Sequence, residues 1–202
     1  MIRKGMVLLA LTLMLGFSPV WAEKGDITAF GGWQFGGSIK TSVGTLKIKD
    51  NWNFGAVLDL SIRPGIQLEL SYSRMESEVN LKTTLQPSVH LFDAVVEYFH
   101  IGALRVLRPG KVQPYTSFTI GVTHFNPKAA NISSEWRFSM NLGLGVKVFP
   151  SERIGLRLQG RLMMPVLNAG AGFWVGPGGG YVTVGGEVML QGDLTAGLII
   201  RF

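Results

Sequence analysis

The chain contains no cysteine among its 202 residues. A disulfide framework, a thiolate metal site and a lipid-modified cysteine at the head of a processed chain are therefore excluded. Charge is scarce too: 16% of the residues are Asp, Glu, Lys or Arg, against 47% hydrophobic, too few to coat a water-soluble domain of this size. Beyond Ala22 there is no apolar run of the roughly 18 residues that a membrane-spanning helix requires. A chain this apolar that enters a bilayer without a helix must do so with strands whose backbone groups satisfy one another. What the sequence does hold is glycine, 27 residues of it, and alternation.

The first residues read as an export signal. "MIRKG" is basic, "MVLLALTLMLGF" is an apolar run of about a dozen residues, and "SPVWA" sets Val20 and Ala22 where a signal peptidase reads small side chains. The run is too short for an anchor, so residues 1–22 are expected to be a cleaved secretory signal peptide and 23–202 a single domain of about 180 residues. Without Arg3 and Lys4 the formal net charge falls from +6 to +4.

Period-2 alternation then runs the length of the domain. Trp52, Phe54, Ala56, Leu58, Leu60 and Ile62 oppose Asn53, Gly55, Val57, Asp59 and Ser61. Trp136, Phe138, Met140, Leu142, Leu144, Val146 and Val148 oppose Arg137, Ser139, Asn141, Gly143, Gly145 and Lys147. Segments from Ile66, from Ile154 and from Leu194 to Phe202 alternate as cleanly, and those from Ile27, Phe92 and Thr116 do so with more noise; the apolar set of the Phe92 segment reads Phe92, Ala94, Val96 and Tyr98. Alternation of this kind marks a strand with one apolar face. Eight such strands are expected, the last from near Glu187. The turns "IRPGI", "LRPGKV" and "FPSERIG" are short, and the connections Ser38–Asn51, Glu78–Val89, Pro127–Ser134 and Leu167–Gly186 are long.

Short turns at one end and long loops at the other is the layout of an outer-membrane barrel. A soluble barrel would have to pack Trp52, Phe54, Leu58, Leu156, Leu158 and Phe202 into an eight-strand interior that admits only modest side chains. Turned inside out, the aliphatic face meets lipid, and glycines and polar residues fill the lumen. The expected fold is all-β: an eight-stranded antiparallel transmembrane β-barrel, an up-and-down meander with both termini at the short-turn, periplasmic end.

The stretches "ITAFGGWQFGG", "LELSYSRMES", "YTSFTIGVTHFNP", "RFSMNLGLGVKVFPSERIGLRLQGR" and "GLIIRF" together resemble the small outer-membrane β-barrel domain family of Gram-negative bacteria, whose architecture is shared by the barrels of outer membrane proteins A, X and W. The resemblance covers nearly the whole of 23–202 and implies an outer-membrane location. It implies no reaction. It also implies that Leu198, Ile200 and Phe202 are an assembly signal read by the barrel assembly machinery.

On the polar face, Asp59, Glu69, Asp93 and Glu97 come from strands two to four, and Arg137, Lys147, Arg157, Arg161 and Arg201 from strands six to eight, joined by Glu187 and Asp193. Buried charges must be paired, so these are expected to form a lumen network that plugs the barrel, with a polar gate as the sharper alternative. Arg161, Asp193 and Glu97 are expected to meet. Lys40, Lys47, Lys49, Lys82 and Lys128, in or beside the long loops, are candidate contacts for lipopolysaccharide phosphates. "GFWVGPGGGY" lacks the Gly-Lys-Ser/Thr ending of a phosphate loop and reads as a surface loop. His90, His100 and His124 lack metal-site spacing and are expected to pack at the membrane interfaces. In "THFNP", His124 is followed by Asn126 where a lipid A deacylase carries a Ser, and Glu135 follows, so the triad lacks its nucleophile. The expectation is a monomeric scaffold for surface loops serving envelope integrity or adhesion, not an enzyme, with no cofactor and no nucleic-acid partner. The alternative is a narrow, porin-like channel for small, even apolar, solutes; a lipid A-modifying enzyme is the disfavoured third.

Overall fold

Alternation becomes two faces once the strands pair. The computed structural model describes residues 25–202 apart from 42–43, 84–85, 130–131, 167–169, 177–178 and 186–188; the expected signal peptide lies outside the described residues. The strands are β1 (Gly25–Phe35), β2 (Ser38–Thr41), β3 (Gly44–Ile48), β4 (Asn51–Arg63), β5 (Ile66–Thr83), β6 (Gln86–Val106), β7 (Val112–Pro127), β8 (Glu135–Val148), β9 (Ile154–Pro165), β10 (Gly170–Gly176), β11 (Gly179–Gly185) and β12 (Gln191–Arg201). Each of β1, β4, β5, β6, β7, β8, β9 and β12 pairs antiparallel with the next, and β12 pairs with β1, so eight strands close an up-and-down barrel. The outer face is the aliphatic one. Leu144 is 67% exposed, whereas Lys147 further along β8 is fully buried.

Hydrogen-bonded rows wind around this barrel. A row begun at Val146 passes through Leu158, Ala196, Gly31, Phe54, Arg74, Glu97 and His124 and re-enters β8 at Trp136. That displacement is the shear that fixes strand tilt and lumen width. The lumen is narrow enough that large side chains need glycine opposite them. Tyr115 lies over Gly145, where a Cβ would stand 2.5 Å from its hydroxyl oxygen, and His100 lies over Gly121, where a Cβ would stand 2.6 Å from its ring. At the short-turn end Pro64 and Gly65 link β4 to β5, with Gly65 at φ +77°, a conformation that side chains disfavour and a Pro-Gly turn supplies.

The terminal aromatic closes the seam. Gly25 and Phe202 exchange reciprocal backbone hydrogen bonds of 3.0 Å, and a Cβ on Gly25 would lie 2.5 Å from the Phe202 ring. Leu198, Ile200 and Phe202 all face outward.

Several expectations are corrected. The long connections are largely strand: β2 and β3 form a hairpin whose second arm pairs with the upper part of β5, β5 and β6 run on to Thr83 and from Gln86, and β10 and β11 form a separate hairpin. The last barrel strand starts at Gln191, not near Glu187, which is itself outside the described residues. Most consequentially, β6 is turned over. Ala94, Val96, Tyr98 and His100 point inward and are buried, while Phe99 and Ile101 are exposed. Val95, Val96, Tyr98 and Phe99 put apolar groups on both faces, so parity within β6 is ambiguous; pairing with β5 and β7 decides it. The inward set is accommodated because the lumen is not polar throughout. Ile48, Met75, Val79, Ala94, Val96, Tyr98, Met163 and Met189 form an apolar cluster, with Phe92 and Phe125 against it.

Candidate functional site in the lumen

Three carboxylates stand side by side on one wall. Asp26, Asp59 and Glu69 are consecutive partners across β1, β4 and β5. Like charges in register repel, so this wall requires cations. Arg201 of β12 registers beside Asp26, and from the opposite wall come Lys147 and Arg157, partners across β8 and β9.

The groups interlock. Lys147 Nζ donates to Asp26 Oδ2 at 3.0 Å, Asp59 Oδ2 at 2.8 Å and Gln67 Oε1 at 2.8 Å. Arg157 donates to Asp59 Oδ2 at 2.7 Å, Glu69 Oε2 at 2.5 Å and Gln159 Oε1 at 3.1 Å. Arg201 Nε donates to Asp26 Oδ1 at 2.8 Å. Cations and carboxylates alternate along Arg201–Asp26–Lys147–Asp59–Arg157–Glu69, so the chain of charges is neutral. The Arg157 guanidinium also lies over the Tyr115 ring, 4.8 Å from its centroid, which favours a cation over an aromatic face.

A second layer sits further from the short turns. Arg161 and Asp193 register across β9 and β12 and form a bidentate pair. Asn53 Nδ2 donates to Asp193 Oδ2 at 2.6 Å, and Tyr98 OH donates to Gln191. Beyond it lies the apolar cluster. The cross-section therefore passes from ion pairs, through a hydrogen-bonded layer, to an apolar cap. His100 Nε2 lies 2.7 Å from Ser139 Oγ, a base beside a hydroxyl, but both residues are buried, which denies a substrate access. Among the described residues, no group of three metal-ligating side chains converges.

The network unites the expected Asp59, Glu69, Lys147 and Arg157, and separately Arg161 and Asp193. Arg137 stands apart at the long-hairpin mouth, paired with Glu135. Asp93 and Glu97 are corrected: neither is in the lumen. Asp93 is exposed and pairs with His90 at 3.1 Å. Glu97 follows the reversed face of β6 and points outward, where it accepts from Tyr72 OH at 2.8 Å and lies 3.1 Å from His124 Nδ1 and 3.5 Å from Arg74. His124 stacks on Trp136 with centroids 4.3 Å apart. His100 is in the lumen instead of at an interface. Three network members were missed, Asp26, Gln67 and Gln159. All share the lumen parity of their strands, a signal the sequence carried.

Of the candidate lipopolysaccharide contacts, Lys49 pairs with Glu78 at 3.2 Å and Lys128 with Glu76 at 3.1 Å. Lys47 is exposed. The side chains of Lys40 and Lys82 lie outside the described residues.

A closed antiparallel barrel with an aliphatic outer wall and a charged, packed interior is a transmembrane β-barrel, and its fold is that of the small eight-stranded outer-membrane barrels. In structure it is similar to Neisserial surface protein A (TM-score 0.60, 14% identity, covering 88% of this chain and 97% of that one). It is also similar to outer membrane protein OprG of Pseudomonas aeruginosa (TM-score 0.59, 15% identity, 88% and 96%) and to outer membrane protein AlkL in lipid bilayers (TM-score 0.55, 11% identity, 93% and 94%). No protein-family profile and no curated protein sequence matches the chain.

Proposed function

We propose that the protein is a non-conducting, non-enzymatic barrel of the outer membrane, a monomeric scaffold that holds surface hairpins at the cell exterior. The observation that carries this reading is the lumen network, in which Lys147, Arg157, Asp59 and Glu69 are at most 2% exposed. A column of water wide enough for ions would hydrate such groups. In planar bilayers the purified barrel is expected to show no discrete conductance steps. Regular single-channel openings of the wild type would overturn the plug. A second reading, uptake of small apolar solutes, has the apolar cap in its favour, since Met75, Met163 and Met189 are flexible gap-fillers that yield to a guest.

In this reading residues 1–22 are removed on export, and the short turns and both termini face the periplasm. The barrel assembly machinery reads the C-terminal strand. Deleting Phe202 removes an outward ring and the two Gly25–Phe202 hydrogen bonds at the end of the seam, and is expected to lower the yield of heat-modifiable barrel in outer-membrane fractions; unchanged yield would remove the signal role. Support for a non-enzymatic reading comes from the exterior His124 site, where the carboxylate partner is Glu97 and the residue two positions on is Asn126, which supplies no nucleophile for the acyl transfer of a lipid A deacylase. Among the lysines, Lys47 is the candidate for lipopolysaccharide phosphate, because Lys49 and Lys128 already have carboxylates. Lys47→Gln is expected to weaken lipopolysaccharide binding more than Lys128→Gln, measured by titration calorimetry in detergent.

A further inference from the structure

Ionic groups are divided unequally between the two ends of the barrel. At the long-hairpin end Lys49, Arg74, Lys128 and Arg137 each meet a carboxylate. At the short-turn end Arg63, Arg105, Arg108, Lys111 and Arg153 are all exposed, and none stands within ion-pair distance of a carboxylate among the described residues. Among the described residues Glu152 is their one exposed acidic neighbour there. Among the described side chains the positive surplus is thus concentrated on one rim, with Lys47 the exposed exception at the other end.

That rim adjoins the lipid-facing wall. Arg105 registers with outward-facing Ile66, and exposed Leu107 follows it. At the foot of β9 and β12 a trough of about 1090 Å³ on the outer face has Ile154, Leu198, Ile200 and Phe202 as its apolar wall and Glu152 and Arg153 at its polar end. Arg201 also borders it, but its guanidinium is committed to Asp26 and to the Phe149 ring, which leaves Arg153 as the available cation. An apolar trough that ends in a free guanidinium matches a molecule with acyl chains and a phosphate.

We propose that the short-turn rim is a binding surface for anionic phospholipid. The phosphodiester of one lipid sits on Arg153 with its chains along Ile154, Leu198, Ile200 and Phe202, and Arg63, Arg105, Arg108 and Lys111 form a basic collar over the neighbouring head groups. A guanidinium presents paired N–H donors to phosphate oxygens, and cations at this depth are attracted to a negatively charged leaflet. Glu152 beside Arg153 could take the ammonium of a zwitterionic head group; the collar's surplus of positive charge decides for a net anionic one. The inference rests on the transmembrane reading above, with the short turns at the lipid boundary.

The test uses the full barrel in vesicles of phosphatidylcholine and measures, by electron spin resonance, the association of spin-labelled phosphatidylglycerol relative to spin-labelled phosphatidylcholine. The wild type is expected to prefer phosphatidylglycerol several-fold at low salt, and less at high salt. A variant with Arg63, Arg105, Arg108, Lys111 and Arg153 all changed to Gln is expected to bind both lipids equally, and Lys49→Gln with Lys128→Gln is expected to keep the wild-type preference. Arg153→Gln alone is expected to lower the preference more than Arg108→Gln. Equal association in the wild type, a preference that survives the five-fold change, or a larger effect of Arg108→Gln would each overturn the assignment. Heat-modifiable mobility verifies that each variant is folded. Both leaflets carry the same lipids, so the outcome is independent of which way the barrel inserts; labelling of an Arg108→Cys variant in intact cells tests the orientation separately.

Discussion

Arg157→Met is expected to lower the unfolding free energy by about 3–5 kcal/mol, the range for breaking a buried ion pair by removing one partner. The cost falls unevenly on the two carboxylates that Arg157 holds. Asp59 keeps Lys147 at 2.8 Å. Glu69, 1% exposed, has Arg157 as its ion-pair partner and is left as a lone buried charge. Arg157→Met combined with Glu69→Met is therefore expected to be more stable than Arg157→Met alone, because both charges leave together. Urea unfolding in lipid vesicles, followed by tryptophan fluorescence, provides the double-mutant cycle. Additive losses from the two substitutions would show that Arg157 and Glu69 are not coupled and that the lumen is hydrated.

Leu158→Arg is expected to cost about 2–4 kcal/mol, the penalty for a cation on the lipid face near the bilayer midplane. Leu158 is 54% exposed on the outer wall, midway along β9, and its replacement has no carboxylate to reach. Leu158→Ala is expected to cost far less, since lipid fills the space. Alternation alone would make the neighbouring Gln159→Arg a mild control, on the argument that the lumen accepts charge. The packing says otherwise: Gln159 is buried and its Oε1 accepts from Arg157 Nε, so a guanidinium there would face a second one. The same unfolding assay ranks the three. A Leu158→Arg barrel as stable as the wild type would mean that this wall does not face hydrocarbon.

The fold was legible wherever one face of a strand is aliphatic and the other is not. Segments such as Trp136–Val148 and Leu194–Phe202 needed only parity, and Pro64-Gly65 announced its turn. The network was legible in part for the same reason, since Asp59, Glu69, Lys147 and Arg157 all lie on the lumen parity of clean strands. Asp26 went unnoticed at the start of a noisier segment, although its register beside Asp59 makes it the group that Lys147 and Arg201 share. Glu97 was misplaced because β6 is apolar on both faces, and a strand like that takes its orientation from its neighbours, not from its own pattern. The apolar cap was hidden by the premise that a lumen is polar along its whole height. Met75, Val79 and Met163 sit at lumen parity and contradict that premise in the sequence itself.

The seam between Gly25 and Phe202 bears on the order in which the barrel is made. Seven of the eight ladders join strands consecutive around the meander, so they draw on nearby stretches of chain, whereas the eighth joins Asp26 to Arg201 across almost the entire described chain. Contacts of such sequence separation come late, because the entropy of the intervening chain must be lost before they repay it. Until then the molecule is an open sheet with β1 and β12 as bare edges, each able to recruit a foreign strand. A nascent chain cannot resolve this by itself before β12 has been delivered, since that strand carries the partners of β1. The long-range ladder thus acts as a timer: the sheet remains open to a folding catalyst until β12 has been exported, and the same late-formed ladder is the natural first opening when the closed barrel is pulled apart.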